Sequence, residues 1–292
     1  MLSEQAYQAI KAAQAIKAMQ QDTLTVEAVY AARASADEAF ESYQFPEQIR
    51  LEEVNTAEVK GEFYHFAENL HPQSVLLFVH GGAFATGTVK SRRKLCISIA
   101  ERISCDSFSV DYRQWPEGHH PDGLHDLLHA YQWLIGKYKT IYLFGESAGA
   151  TFALALTLML KNENKPLPTK VCVFSPVINE LNTMTSEFTH AERDPMLLGG
   201  GKPMPYFKEP WADSPLVSPI YGDFRNFPQI MIHCGSEEVK CDHAIVLNQL
   251  CQNAGVDTTL QIWQGLFHVF VLFDMPETER ALNKIGAFFT AA

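Results

Sequence analysis

Residues 141–150 read IYLFGESAGA, an apolar run that stops at a glycine and is followed at once by a serine and small residues. Gly145-x-Ser147-x-Gly149 therefore lies between a predicted strand and a predicted helix. In that context the motif can hold a serine hydroxyl exposed on a sharp, strained turn. The helix behind it turns its positive end and free N–H groups towards the same point. Alone the motif is short and built of common residues, so a close-packed turn is the favoured explanation of it. A serine that acts as a nucleophile near neutral pH needs two further things, a base and donors for an oxyanion.

Both have candidates. His80-Gly81-Gly82-Ala83-Phe84 follows the apolar run SVLLFVH, and its small residues let backbone N–H groups approach a ligand. Among eleven histidines, His268 in GLFHVF stands past the last predicted strand, in the loop leading to the final helix. The loop after PQIMIHC offers three acids, Glu237, Glu238 and Asp242. Surface charge explains any one of them, and residue chemistry alone does not choose. Serine, acid and histidine follow in that order, each just beyond a strand. The joint arrangement outweighs the separate structural explanations.

Those residues need a frame. Helical spacing runs through Tyr7, Ile10, Ala13 and Ile16, then Val26, Val29, Tyr30 and Phe40, with Asp22 and Thr23 as break and cap. Residues 49–54 alternate like a strand, and 59–66 fit its hairpin partner. From Ser74 strands and helices alternate, and several strands are wholly apolar. That predicts an α/β class with a mostly parallel central sheet covered by helices on both faces. Residues 180–213, rich in Gly, Pro, Met and charge, are too long for an ordinary connection and read as a lid. The expected organisation is N-terminal cap helices (1–46), the first part of the core (47–179), a cap insertion (180–213) and the second part of the core (214–292).

A formal charge of −11 argues against nucleic acid or an anionic membrane as main partner. The start, MLSEQAYQAIKAAQ, lacks the features of a signal peptide. No window reaches the roughly 18 apolar residues of a membrane span. Six scattered cysteines without a C-x-x-C pair suggest neither a disulfide framework nor a zinc site, which fits a reduced, cytoplasmic protein. His119, His120, His125 and His129 cluster, the last two at i, i+4, and read as exposed helix histidines rather than metal ligands. Ser91-x-x-Lys94 matches a serine β-lactamase motif, but S-D-N and K-T-G are missing, so Ser91 reads as the cap of the following helix. Residues 199–202, GGGK, lack the strand and spacing of a phosphate loop.

Taken together, VHGGAFATG, VDYRQWPEGHHPDGLHD, AYQWL, GESAG, SPLVSPIYGD, GSEEVKCD and LFHVF resemble, in order and spacing, the hormone-sensitive-lipase-like bacterial esterases of the α/β-hydrolase fold. The resemblance covers nearly the whole chain. It implies Ser147 as nucleophile, His268 as general base and Glu238 as triad acid, with Asp242 supporting. The oxyanion hole falls on the amides of Gly82, Ala83 and Ala148. His80 and Gly81 support that loop, His80 by hydrogen bonding. Ala83 departs from the family's third glycine, and a positive φ there would be unfavourable. Glu146 stands where the family often has Asp, with no role assigned. The implied reaction is hydrolysis of a small-molecule ester, acetyl to butyryl, with no metal or organic cofactor and no stable membrane association. The family includes dimers, so a homodimer is compatible. Two alternatives remain: an amidase, formamidase or carbamate hydrolase with the same triad, and a ligand-binding protein on this scaffold.

Overall fold

The computed structural model describes residues 2–20, 24–200, 204–207 and 213–291. Eight strands form one sheet: β1 (Ile49–Asn55), β2 (Lys60–Phe66), β3 (Ser74–Val79), β4 (Asp106–Val110), β5 (Thr140–Glu146), β6 (Lys170–Phe174), β7 (Gln229–Gly235) and β8 (Thr258–Trp263). Their spatial order is β1-β2-β4-β3-β5-β6-β7-β8. β1 and β2 pair antiparallel, as does β2 with β4, and every other pairing is parallel. The predicted mostly parallel sheet is therefore present, with the expected hairpin at one edge.

The two-residue period of a strand explains the two cores. Val75, Leu77 and Val79 of β3 join α4 (Asp122–Ile135), α5 (Ala148–Asn162) and α7 (Cys241–Asn253) on one face. Leu76 and Phe78 join α3 (Arg93–Ile103) and α8 (Pro276–Thr290) on the other. β3 and β6 are buried throughout, which is why they read as unbroken apolar runs. α5 is buried at every position from Ala148 to Leu160, so it shows no polar face in the sequence. Each large apolar side chain removed from water on these faces contributes about 1.5–3 kcal/mol.

The N-terminal helices are α1 (Glu4–Ala18) and α2 (Val26–Ala39). Here the buried face differs from the expected one. Ala6, Ala9 and Ala13 are buried, whereas Tyr7 and Ile16 are 54% and 44% exposed. The reason is close approach: Ser3 at the helix start donates from N and Oγ to Glu277 of α8 (3.0 and 2.6 Å), and alanines leave room for that approach. Asp22 and Thr23 lie outside the described residues. α2 is capped by Thr25, whose Oγ1 accepts from the Ala28 amide at 3.2 Å. Between residues 180 and 213, α6 (Thr185–Thr189) is a short helix the sequence did not announce. Lys17 of α1 donates to the carbonyls of Ala191 and Asp194, both at 2.6 Å, so α1 touches that stretch.

Two smaller expectations change. Ser91 does not cap α3. It lies in a 3-10 turn (Lys90–Arg92), exchanging hydrogen bonds with Thr88, and α3 starts behind Arg92 without a side-chain cap. His125 and His129 do lie on α4, with His125 exposed. Residues 201 and 202 of the GGGK stretch lie outside the described residues. Among the described residues, no helix is long and apolar enough to cross a membrane.

Candidate active site

The end of β5 and the start of α5 meet at Ser147, whose φ of +54° and ψ of −122° mark a strained turn. Its amide donates to the Phe174 carbonyl of β6 at 2.9 Å. The turn is tight because Gly149 lies against β3: a Cβ there would stand 2.1 Å from the Val79 carbonyl oxygen. The first turn of α5 therefore points its N-terminus at the serine.

His268 reaches Ser147 across 121 residues of sequence, with Nε2 2.9 Å from Oγ. Its Nδ1 lies 2.8 Å from Oε2 of Glu238. A carboxylate only accepts, so Nδ1 carries the proton and Nε2 is left to accept from the serine hydroxyl. Glu238 is fully buried. Its Oε1 accepts from the Gly235 amide (2.6 Å) and from Ser175 Oγ (3.2 Å). Burial pushes the Glu238 carboxyl above its ordinary range, opposed by the hydrogen bonds from His268 and Ser175.

The other acids of that loop point elsewhere. Glu237 pairs with Arg193, whose Nε lies 2.8 Å away. Asp242, in the first turn of α7, accepts from the Ser186 amide at 2.8 Å while its own amide donates to Ser186 Oγ at 3.1 Å. Its support thus goes to α6 rather than to His268. Asp194 accepts from the Val239 amide at 2.9 Å and so ties the acid loop to the 180–213 stretch.

The loop after β3 contains three consecutive positive φ values: Gly82 at +113°, Ala83 at +53° and Phe84 at +56°. Gly82 is required as well by contact, since a Cβ would stand 2.1 Å from the Gly87 amide nitrogen. Ala83 adopts the left-handed conformation the sequence made unfavourable for it. The loop tolerates this because it is bound on all sides. The Gly82 carbonyl accepts from the amides of Ala85 and Thr86 at 3.0 and 2.7 Å. Arg33 of α2 donates to the carbonyls of Ala85 (2.6 Å) and Trp115 (2.7 Å). Buried His80 has Nδ1 2.8 Å from the Gly81 carbonyl and stacks on Tyr112, and burial lowers its pKa to about 3. A neutral imidazole donating from Nδ1 is the hydrogen-bonding role the sequence suggested. Among the described residues, no acceptor takes the amides of Gly82, Ala83 or Ala148.

Glu146 now has a place. Its side chain is 1% exposed, and Oε1 accepts from the Gly81 amide at 2.5 Å and from Arg92 Nε at 2.8 Å. The carboxylate beside the serine thus holds the first amide of the glycine loop. Sequence reading missed Arg92, Arg33, Asp194 and Ser175. Only Ser175 carried a signal, a serine ending an apolar strand as the other site residues do.

A family model described as the alpha/beta hydrolase fold matches residues 76–272. The chain is 31% identical to an acetyl-hydrolase of Streptomyces hygroscopicus, over 74% of this chain and 75% of that one. It is 27% identical to an esterase of Acinetobacter venetianus, over 85% and 84%. Among solved structures, EstE5 soaked with p-nitrophenyl butyrate superposes with a TM-score of 0.89 at 26% identity, covering 98% of both chains. An esterase from the bacterial hormone-sensitive lipase family gives 0.85 at 27%, covering 99% of this chain and 98% of that one. With the family match spanning most of the chain and the neighbours aligning end to end, the protein belongs to the α/β-hydrolase family, in its hormone-sensitive-lipase-like esterase branch.

Proposed function

We propose that this chain hydrolyses carboxylic esters of short acyl groups through an acyl-enzyme on Ser147. The observation that carries the reading is the unbroken line of hydrogen bonds from Ser147 Oγ through the His268 ring to buried Glu238. His268 Nε2 takes the hydroxyl proton as Oγ attacks the ester carbonyl, then returns it to the leaving alcohol oxygen. Water, deprotonated by the same nitrogen, releases the acid. Glu238 keeps Nδ1 protonated and stabilises the imidazolium formed midway. The amides of Gly82, Ala83 and Ala148 receive the oxyanion, and removal of one such donor costs about 100- to 1000-fold in kcat. Protein groups and water suffice for these steps.

Preference for short chains is supported by an acetyl-hydrolase among the relatives. In this reading residues 1–46 and 180–213 together form the cap.

Hydrolysis of a p-nitrophenyl series from acetate to decanoate tests the assignment. The expected kcat/KM peaks at acetyl to butyryl and falls with Ser147→Ala by more than about 10³. Glu238→Ala should lose far more than Asp242→Ala. Equal activity of wild type and Ser147→Ala, or a larger loss at Asp242, would refute the triad.

A further inference from the structure

We infer that Ser175, at the end of β6, is a positioning residue that sets the geometry of all three triad loops. The inference rests on the proposed triad. Ser175 is fully buried. Its hydroxyl donates to Glu238 Oε1 at 3.2 Å and accepts from the Val269 amide, the residue after His268, at 3.0 Å. One hydroxyl proton and one lone pair are thereby both committed, so the oxygen bridges the acid to the base's own backbone. The adjacent backbone completes the set. The Phe174 carbonyl takes the Ser147 amide at 2.9 Å, and the Ser175 amide donates to the His233 carbonyl of β7, the strand that leads into the acid loop, at 2.7 Å. Two consecutive residues of β6 and its end thus touch the nucleophile turn, the acid loop and the base loop.

Strain makes the bridge consequential. Ser175 and Val269 both have positive φ, +49° and +47°. For a β-branched valine the left-handed region is unfavourable, and it persists only where surroundings impose it. The Val269 amide held by Ser175 Oγ is that imposition, immediately behind His268. Without the hydroxyl, Val269 is free to relax to a negative φ and turn the His268 ring off the Ser147–Glu238 line. Glu238 at the same time keeps Gly235 and His268 as donors but loses the third.

Ser175→Ala removes the hydroxyl and keeps the side chain's bulk. Ser175→Gly removes it and relieves the left-handed strain, which safeguards folding. Both should lower kcat on p-nitrophenyl acetate by about 10- to 100-fold with KM within about twofold, the scale of a hydrogen bond to a charged group. The acid limb of kcat/KM should move to lower pH, because a loosened Glu238 supports the imidazolium less well. Wild-type kcat and pH profile in both variants would overturn the inference. So would loss in Ser175→Ala with full recovery in Ser175→Gly, which would make the effect one of backbone strain alone. Wild type and Ser147→Ala run alongside separate the two levels: an inert wild type would sink the esterase reading itself, whereas an active wild type matched by both Ser175 variants sinks only this inference.

Discussion

Glu146 offers the sharpest test of how the glycine loop is held. Its carboxylate binds two groups at once, the Gly81 amide at 2.5 Å and Arg92 Nε at 2.8 Å, with the Arg92 side chain 17% exposed. Glu146→Ala frees the Gly81 amide and leaves a mostly buried guanidinium unpaired. A hydrogen bond to a charged group is worth about 1.5–3 kcal/mol, and at about 1.4 kcal/mol per decade its loss reduces the population of the correctly placed loop about 10- to 100-fold. Two of the three proposed oxyanion donors, Gly82 and Ala83, sit on that loop, so kcat should fall by the same factor. Stability should fall separately, by about 3–5 kcal/mol, because one partner of a buried pair has been removed. Adding Arg92→Met separates the two effects. The double variant no longer buries an unpaired charge, so it should regain much of the stability, while kcat stays low because Gly81 is still unanchored. Thermal melts and p-nitrophenyl acetate kinetics on the four proteins of the cycle read both quantities. A folded Glu146→Ala with kcat within twofold of wild type would refute the clamp, as would a double variant in which kcat recovers together with stability.

Two further expectations concern strain and buried charge. Ala83→Gly removes a left-handed alanine strain of about 1–2 kcal/mol. It adds about 0.4–1 kcal/mol of unfolded-state freedom. The net is a gain between about 0 and 1.5 kcal/mol at unchanged kcat, and a destabilised or slower variant would contradict the geometry of this loop. Glu180, buried near Lys240 and Glu187, is raised by burial from 4.5 to about 7. The folded chain therefore holds a proton that the unfolded chain has already released, so stability should decline by about 3 kcal/mol as pH rises from about 4.5 to 7 and then level off. Glu180→Gln should remove that decline and be more stable than wild type at pH 8. Parallel stability–pH curves for the two proteins would show that Glu180 titrates normally.

What the sequence made legible was whatever ends a strand. GESAG, HGGAF and the acids of GSEEVKCD each follow an apolar run and GLFHVF follows the strand TTLQIW, and a parallel sheet brings the carboxyl ends of its strands to one edge. The sheet's parallel part was readable for the same reason, since buried strands are apolar on both faces. Residue chemistry alone did not choose Glu238 over Glu237 and Asp242; the family resemblance did, and the path of the loop brings Glu238 Oε2 within 2.8 Å of His268 Nδ1. Glu146 was visible as a charge but not as a clamp, since its partner Arg92 lies 54 residues earlier. α1 misled because hydrophobicity marks Tyr7 and Ile16, whereas close packing selects Ala6, Ala9 and Ala13. Ser175 carried only the signal of ending an apolar strand, because its partners come from two loops elsewhere in the chain.

The hydrogen bond joining His268 to Ser147 spans 121 residues, and the order of the sheet gives that span a meaning in time. Serine follows β5, the acid follows β7 and the histidine follows β8, each strand adding to the growing edge beside the one before it. A ribosome releasing the chain from its N-terminus delivers the Ser147 turn well before His268. Contacts so distant in sequence close late and slowly. A chain that has not yet laid β8 against β7 carries a serine with no partner. On the proposed triad, hydrolysis waits until the last strand is in place, and the emerging chain stays chemically silent until then.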